Sequence, residues 1–273
     1  MDRLLNYIFG FILVLFYVLF ANPDEQTRIT IALLLASTIA LLAFLMNWLS
    51  LDGAFAALII GIVALGLGGL STAIALLLFF SSSYFIGFVL GSNKVDGDHS
   101  SNERRDGRQV WANAFWFVLF ISLGFYFRDD LMRIIAAGSL AVAMADTWAT
   151  EIGTKAKNTK TYFILNFKPV QAGIDGGVSL IGSLGGILGG LLLSIAFVLV
   201  SGYHSLVVFG IIALAGFLGC VMDSYLGAIF QTNNRKFYLT KQFGGSGKLD
   251  NNSVNVVATG LGALITLCML LIV

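Results

Sequence analysis

Two apolar stretches that each carry a carboxylate decide the fold class. Residues 138–153 read GSLAVAMADTWATEIG, and residues 210–231 read GIIALAGFLGCVMDSYLGAIFQ. Both have the small, apolar composition of helices that pack together in a bilayer. Asp146 and Asp223 lie inside these stretches, and Glu151 follows within the first. Because an ionised side chain at membrane depth costs about 2.5 kcal/mol or more unless it is paired, hydrated or metal-bound, these acids predict a polar site between helices.

The composition agrees with a membrane protein. Hydrophobic residues make up 58% of the 273 residues and charged residues only 11%, values that exclude an ordinary soluble domain. We therefore predict an all-α, polytopic helical membrane protein. The net charge of +1 indicates no particular partner, and we expect membrane lipids but no nucleic acid among the partners.

Apolar segments of spanning length can be placed about nine times within a single transmembrane domain, residues 1–273. The least certain boundary is the short Gly68–Ser71 link between the third and fourth segments. Three polar loops are predicted, at 92–109, 153–177 and 232–253. The predicted spans are 4–21, 29–49, 53–69, 71–91, 110–127, 131–152, 178–201, 205–231 and 254–273.

The distribution of basic residues predicts the orientation. Of the 16 Lys and Arg residues, all but Arg28, Arg128 and Arg133 fall in the three polar loops or at the N-terminus. The positive-inside rule therefore predicts a cytoplasmic N-terminus and three cytoplasmic polar loops. Asp146 and Asp223 would then lie about two helical turns from the cytoplasmic ends of their helices, within reach of a cytosolic solute.

The two intramembrane acids occur in a similar local pattern, Asp146-Thr147-Trp148 and Asp223-Ser224-Tyr225. This similarity indicates either an internal parallel repeat or a coincidence. A pair of acids at similar depth favours a site for a divalent cation. The alternative is a pair of acids that hydrogen-bond between helices without any chemistry.

The polar loops carry residue types that suit phosphate. Arg105 and Arg108 precede an apolar helix, and arginine binds phosphate in a bidentate manner, although such residues more often only set topology. The segment 171–179 reads QAGIDGGVS and combines Gly173, Gly176 and Gly177 with Asp175 and Ser179. Glycines at a helix start allow the backbone to approach phosphate closely, and Ser179 can cap the helix that follows.

The third loop contains two polar segments. Residues 244–248 read GGSGK, but Gln242 and Leu249 stand where a P-loop requires glycine and Ser/Thr, so a P-loop is rejected. Residues 250–255 read DNNSVN and include Asn251 and Asn255. These polar groups suit metal or phosphate, while helix capping by Asn252 or Ser253 is equally compatible with the pattern.

Five ordered motifs together carry a family resemblance over nearly the whole chain. They are Arg108-Gln109-Val110-x-Ala112-Asn113, Ala145-Asp146-Thr147-x-Ala149-x-Glu151-x-Gly153, Gly173-x-Asp175-Gly176-Gly177-Val178-Ser179, Asp223-Ser224-x-Leu226-Gly227-Ala228-x-x-Gln231 and Asn251-x-x-Val254-Asn255. The chain resembles the integral membrane family of formerly unknown function that includes plant phytyl-phosphate kinase. More distantly it is similar to dolichol kinase and membrane cytidylyltransferases. Asn252 departs from the acid expected at that place in the family pattern, and residues 94–107 match nothing associated with the family.

The resemblance implies phosphorylation of an isoprenyl monophosphate, phytyl-like or polyprenyl, to its diphosphate at the cytoplasmic face. It also implies Mg²⁺ and CTP or another nucleoside triphosphate as phosphoryl donor. The implied catalytic and metal-binding carboxylates are Asp146, Glu151, Asp175 and Asp223. The implied substrate- and nucleotide-binding residues are Arg105, Arg108, Asn113, Lys155, Gly173, Gly176, Gly177, Ser179, Asn251 and Asn255.

Two other functions are compatible with the sequence. A lipid-phosphate nucleotidyltransferase would hold the same nucleotide and metal, so the sequence does not separate it from a kinase. An isoprenoid or lipid transporter would share the glycine-rich helices and intramembrane acids. The enzyme is favoured over the transporter because every polar motif falls on the predicted cytoplasmic side.

Overall fold

The computed structural model describes residues 2–90, 104–156, 159–232 and 249–273, which form nine α-helices and one small sheet. The polytopic helical fold is confirmed. Three helices continue into π-helical turns, at Phe16–Phe20, Val63–Leu67 and Ala228–Thr232. The helices are α1 Asp2–Leu15, α2 Pro23–Leu45, α3 Leu51–Ile62, α4 Leu70–Val89, α5 Gly107–Phe127, α6 Leu131–Lys155, α7 Leu180–Ser201, α8 Leu206–Gly227 and α9 Asn251–Ile272.

Eight of the described helices are long and apolar enough to cross a membrane, and the shorter apolar helix is Leu51–Leu67. This short segment still runs from one end of the bundle to the other. At its start, the Ser50 amide donates to the Arg105 carbonyl over 3.0 Å. At its end, Arg28 Nε donates to the Gly66 carbonyl over 2.9 Å. The direction of α3 is therefore compatible with the predicted alternation of about nine spans, although only eight of the described helices have spanning length.

The helix ends that flank the polar segments lie together at one end of the bundle, which we call the polar end. The N-terminal helix also begins there. Residues 91–103, 157–158 and 233–248, including the rejected P-loop at 244–248, lie outside the described residues. Contacts at the polar end are Trp111 Nε1 to Asn6 Oδ1 (2.7 Å), Lys155 Nζ to the Gly87 carbonyl (3.2 Å) and Asn255 Nδ2 to Asn113 Oδ1 (3.4 Å).

Helix α6 forms the centre of the bundle, because its residues Ile134–Ala145 are all buried. Small residues on the neighbouring helices bring their backbones close to it. A Cβ on Gly189 of α7 would lie 3.1 Å from the Met144 carbonyl, and one on Gly216 of α8 would lie 3.0 Å from Ala141 Cβ. Tight backbone packing of this kind is how small residues stabilise helix pairs in membranes. It also fixes the relative positions of α6 and α8, the two helices that carry Asp146 and Asp223.

A small antiparallel sheet, which was not predicted, begins within the predicted loop 153–177 and extends to Ser179, so α7 starts at Leu180 and not at the predicted 178. Its strands are β1 Thr161–Phe163, β2 Pro169–Val170 and β3 Gly177–Ser179, in the order β2-β1-β3. Strands of two or three residues are too short to produce a recognisable alternation of apolar and polar residues. The sheet leads directly into α7, and the Ile164 amide after β1 donates to the Gly176 carbonyl over 2.9 Å, which holds residues 173–177, here called the glycine segment, next to the sheet.

Candidate functional site

Helix α6 contributes one polar side of a pocket at the polar end. Asp146, Thr150 and Gly153 all line this pocket. Their spacing of four and three residues places them on one face of the helix. Asp146 is partly buried. The first of the two intramembrane acids therefore faces an open space between helices and not the lipid.

Helix α8 contributes the opposite acid. Asp223, Ser224 and Gly227 line the same pocket. Asp146, Asp175 and Asp223 all line this pocket, so three carboxylates share one space. Like charges held together in a partly buried site repel one another and attract a cation. The prediction that Asp146 and Asp223 form a polar site between helices agrees with this geometry.

The acidic pocket has a volume of about 170 Å³ and lies between α6, α7, α8, the start of α9 and the glycine segment. Many of the residues singled out from the sequence surround it. Phosphate and metal groups are compatible with a pocket of mixed carboxylate, hydroxyl and backbone character. The predicted site residues that line it are Asp146, Gly173, Asp175, Gly176, Gly177, Ser179, Asp223 and Asn251.

The glycine segment requires glycine for two different reasons. Gly173 and Gly176 have φ angles of 88° and 78°, in the left-handed region that disfavours residues with a Cβ. A Cβ on Gly176 would also lie 2.3 Å from Ala228 Cβ. The glycines therefore let the segment press against the end of α8 and bring its backbone to the pocket. Ser179 accepts a hydrogen bond from the Gly182 amide over 3.1 Å, which confirms that it caps α7.

Asp175 lies at the exposed rim of the pocket, next to the end of α8. Desolvation at the pocket raises the pKa of the Asp175 carboxyl above its ordinary value of 3.8. The fold thus disfavours the charged form of this side chain. Titratable side chains whose charged form is disfavoured by burial in a pocket are common in functional sites.

Helix α9 brings amide groups to the same place. Its cap is Asp250, whose side chain accepts from the Ser253 amide over 2.8 Å, so neither Asn252 nor Ser253 caps the helix. The helix consequently starts at Asn251, earlier than the predicted 254, because the capping residue itself was not recognised. Asn251 lines the acidic pocket.

Asn255 lies one turn further along α9 and contacts two helices. In one orientation its Nδ2 donates to Asn113 Oδ1 on α5 over 3.4 Å. In that orientation its side-chain oxygen faces only acceptors. With the amide turned over, its nitrogen donates to Asp223 Oδ2 over 3.1 Å and to the Asn251 carbonyl over 3.3 Å. Three oxygen-bearing groups thus converge at this point, from Asp223, Asn251 and Asn255.

The arrangement fits Mg²⁺ better than a transition metal. Among the described residues, no group of three or more His, Cys, Asp or Glu side chains is placed to hold a metal ion. Mg²⁺ commonly uses one or two carboxylates and takes its other ligands from water and phosphates. Asp146 and Asp223, with amide or carbonyl oxygens near Asp223, match that requirement. Such a metal would be held jointly by protein and nucleotide.

The structure places Glu151 and Lys155 apart from the acidic pocket, contrary to the predicted grouping. Glu151 follows Asp146 by five residues, so at about 100° per residue it points about 140° away around the helix. Glu151 instead pairs with Lys155 Nζ at 2.5 Å, and Lys155 also donates to the Gly87 carbonyl. Neither residue is among those that line the pocket. They connect the end of α6 to α4.

The structure distinguishes the two predicted phosphate-binding arginines. Arg108 is exposed and lines neither of the two pockets at the polar end. Arg105 is half-buried and lines a second pocket together with Asn113. Burial lowers the pKa of the Arg105 guanidinium, while the nearby charge of Glu151 acts in the opposite direction. Arg105 therefore remains a candidate, whereas Arg108 is not among the residues that line either pocket in the described part of the chain.

Some residues of the acidic pocket were missed by sequence reasoning. Thr150 and Gln231 both line the pocket but were not identified as site residues. Thr150 lies one helical turn after Asp146, and Gln231 lies two turns after Asp223, within the π-helical extension of α8. Helical spacing from the two acids was the signal that could have found them.

Sequence comparison finds known proteins that are similar to this chain over most or part of its length. The chain is 30% identical over 243 residues to an uncharacterized membrane protein of Methanocaldococcus jannaschii, covering 89% of this chain and 94% of that one. It is 26% identical over 282 residues to Protein PGR of Arabidopsis thaliana, covering 90% and 97%. It is 29% identical over 141 residues to the chloroplastic Protein VTE6 of the same plant, covering 52% and 39%. No solved structure matches the chain.

The family model that matches the chain spans residues 34–263 and therefore includes α3 to α8, most of α2 and α9, and all five sequence motifs. The predicted resemblance is confirmed. The chain belongs to the integral membrane protein family DUF92.

Proposed function

We propose that this protein transfers a phosphoryl group from a nucleoside triphosphate to an isoprenyl monophosphate, giving the diphosphate. The observation that carries the proposal is the acidic pocket, in which Asp146 and Asp223 face one space under a glycine-rich segment. Phosphoryl transfer depends mainly on positioning and on neutralising charge. Carboxylates that hold a divalent cation, next to a backbone free of side chains, suit both needs.

The reaction requires no base from the protein. The terminal phosphate of the acceptor has a second pKa near 6, so most of its oxygens are already ionised at neutral pH. One acceptor oxygen forms a bond to the γ-phosphorus of the donor. The bond from that phosphorus to the β–γ bridging oxygen breaks, and the nucleoside diphosphate leaves with the electron pair.

The residues of this chain would then bind and orient the two phosphate groups. Asp146 and Asp223 would hold Mg²⁺, which when bound neutralises charge on the donor phosphates. The segment Gly173–Gly177 would lie along the nucleotide phosphates, since its glycines place no side chain there. Asn255 would orient the oxygen groups around Asp223. Asp175 at the rim would lie next to the nucleotide and its cation.

The comparisons support the same class of reaction. Protein VTE6 matches over about half of this chain, and the family resemblance includes plant phytyl-phosphate kinase. The identity of the nucleotide and of the isoprenyl chain is part of the proposal. The protein is expected to act at the cytoplasmic membrane face, as the distribution of its basic residues predicts.

The proposal is tested by following which phosphorus atom of the nucleotide is transferred to the isoprenyl monophosphate. Purified protein is incubated with geranylgeranyl monophosphate, Mg²⁺ and CTP or ATP labelled at either the α- or the γ-phosphorus. Transfer of the γ-label alone, with formation of the diphosphate, is the expected result. Transfer of the α-label would identify a nucleotidyltransferase, and transfer of neither label from either nucleotide would contradict the proposal.

A further inference from the structure

A second cavity lies between other helices of the bundle and has a different chemical character. It has a volume of about 350 Å³ and is enclosed by α2, α3, α4 and α5. Its walls are almost entirely apolar side chains, a size and composition typical of sites for small apolar ligands. We call it the apolar cavity. Its polar residues are confined to one end, where Arg105, Gln109 and Asn113 line it.

Small side chains on one face of α2 create the space. Ala32, Ala36, Ala40 and Ala43 all line the cavity and are all buried. Their spacing of four, four and three residues places them on a single stripe of the helix. Larger side chains along this stripe would fill the cavity. The cavity is therefore encoded by the sequence and is not a defect in packing between large side chains.

The cavity opens sideways toward the region that lipid would occupy. Leu35 and Ile39 on α2 and Leu77 on α4 line it, yet they are 50%, 40% and 44% exposed. Side chains that border a cavity and also face outward mark its opening. An apolar chain can thus enter from the bilayer between α2 and α4 without crossing water.

Arg105 is held rigidly at the polar end of the cavity. Its amide donates to the Trp48 carbonyl and its carbonyl accepts from the Ser50 amide, both over 3.0 Å. Its half-buried guanidinium lines the cavity. The nearby acid Glu151 is already paired with Lys155. An anionic group at the end of an apolar chain would complement both the cavity and the guanidinium, since arginine binds phosphate oxygens in pairs.

The apolar cavity and the acidic pocket meet at two amides. Asn113 lines the apolar cavity, and its Oδ1 lies 3.4 Å from Asn255 Nδ2. The other atom of the Asn255 amide faces Asp223, which lines the acidic pocket. A phosphate at Arg105 and Asn113 would therefore lie one amide away from the carboxylates that are proposed to hold the donor.

We infer that the apolar cavity binds the hydrocarbon tail of an isoprenyl monophosphate, with its phosphate at Arg105 and Asn113, directed past Asn255 toward the acidic pocket. This inference rests on the proposed function, because it assigns the acceptor of that reaction to a specific place. The tail enters between α2 and α4, while the nucleotide approaches from the polar end. Donor and acceptor thus reach the reaction from different compartments.

A photoreactive acceptor tests the location independently of turnover. The probe is farnesyl monophosphate with a diazirine at the far end of the tail, added to purified protein without nucleotide. After irradiation, peptide mapping is expected to find the label on α2, α3 or α4 residues around the cavity. A label confined to other helices would overturn the inference, even if diphosphate is formed. Cavity labelling without diphosphate formation would instead contradict only the proposed function.

Two further photolabelling experiments identify the ligand that the apolar cavity binds. An equal excess of phosphatidylglycerol should not displace the probe, whereas unlabelled farnesyl monophosphate should. Displacement by both would show a site for bilayer phospholipid and would overturn the inference. Arg105→Gln should weaken labelling by the monophosphate probe but not by the corresponding diazirine alcohol. Equal loss with both probes would contradict a phosphate at Arg105.

Filling the cavity tests its role in the reaction. Ala40→Leu places a large side chain inside the cavity, and Ser37→Leu adds a leucine on the exposed face of the same helix. We expect Ala40→Leu to lower probe labelling by about tenfold, equivalent to a modest loss of binding energy, and Ser37→Leu to leave it unchanged. Ala40→Val provides a smaller change if the leucine variant does not fold. Normal labelling in a folded Ala40 variant would overturn the inference.

Discussion

The side-chain amide of Asn255 lies 3.1 Å from Asp223 Oδ2 and 3.4 Å from the side-chain oxygen of Asn113. It therefore links the carboxylate on α8 to α5 across the polar end of the bundle. With its nitrogen toward Asp223, the amide also donates to the Asn251 carbonyl over 3.3 Å. A cation on Asp223 would favour the orientation that places the amide oxygen toward it.

We predict that Asn255→Ala lowers kcat by about 10- to 100-fold, because it removes a group that orients Asp223, the proposed metal ligand. Asn252→Ala, one turn earlier on α9, is the matched control, since among the described residues it is Asn255 and not Asn252 whose amide contacts Asp223 and Asn113. Steady-state kinetics of both variants provide the measurement. Equal rates for wild type and Asn255→Ala would remove this residue from the site.

The glycine segment allows a second prediction about stability. Gly176 and Gly202 share a φ angle of 78°, but a Cβ on Gly176 would lie 2.3 Å from Ala228 Cβ, while one on Gly202 would meet nothing within 4 Å. Gly202→Ala is therefore expected to cost about 1–2 kcal/mol from the left-handed backbone alone. Gly176→Ala should lower the thermal midpoint in detergent clearly further. Equal midpoints would show that the segment does not press against α8.

The raised pKa of Asp175 predicts that the difference in stability between wild type and Asp175→Asn depends on pH. Its pKa is raised above 3.8 by desolvation, so between pH 3.8 and the raised pKa the folded state keeps a proton that the unfolded state loses. Wild-type stability from this group is present at low pH and is lost as pH rises through the raised pKa. Asp175→Asn should consequently gain in thermal midpoint relative to wild type between pH 4 and pH 7. A constant difference across that range would argue against desolvation of Asp175.

The side of the membrane that the polar end faces can be tested with single cysteines introduced at residues that the structure describes. Native Cys220 and Cys268 are first replaced, and cysteines are introduced at Arg104 and Lys160 at the polar end or at Asp24 at the opposite end. A membrane-impermeant thiol reagent is expected to label only the Asp24 position from outside intact cells. Labelling of Arg104→Cys or Lys160→Cys from outside would reverse the predicted orientation of the site.

The helical bundle, and the position of Asp146 and Asp223 at a polar space between helices, could be predicted because both depend on local composition. Long apolar segments must become helices in a bilayer, and an acid inside one must face a polar space. The sequence did not separate Asp146 from Glu151, because only the angle around α6 decides which acid enters the pocket. It also did not separate Arg105 from Arg108, which required the contacts of Arg105 with Trp48 and Ser50.

The apolar cavity was not predictable from any one motif. Its walls come from four helices, and its alanines on α2 are typical of ordinary helix packing in membranes. Only the separation of α2 from α4 in the assembled bundle leaves the space open. The small sheet was likewise not predictable, because its strands are only two or three residues long and pair with residues that are not adjacent in sequence.

The most direct test of the central claim is transfer of γ-phosphorus label to geranylgeranyl monophosphate by wild type, Asp146→Asn and Asp223→Asn. Each asparagine variant keeps the size of the side chain but loses the charge that is proposed to hold Mg²⁺. We predict labelled diphosphate with wild type and a loss of about 100-fold or more in rate with either variant, at unchanged thermal midpoint. Glu151→Gln, which lies outside the acidic pocket, should retain far more activity than either. Near-normal transfer by both folded aspartate variants would contradict the account.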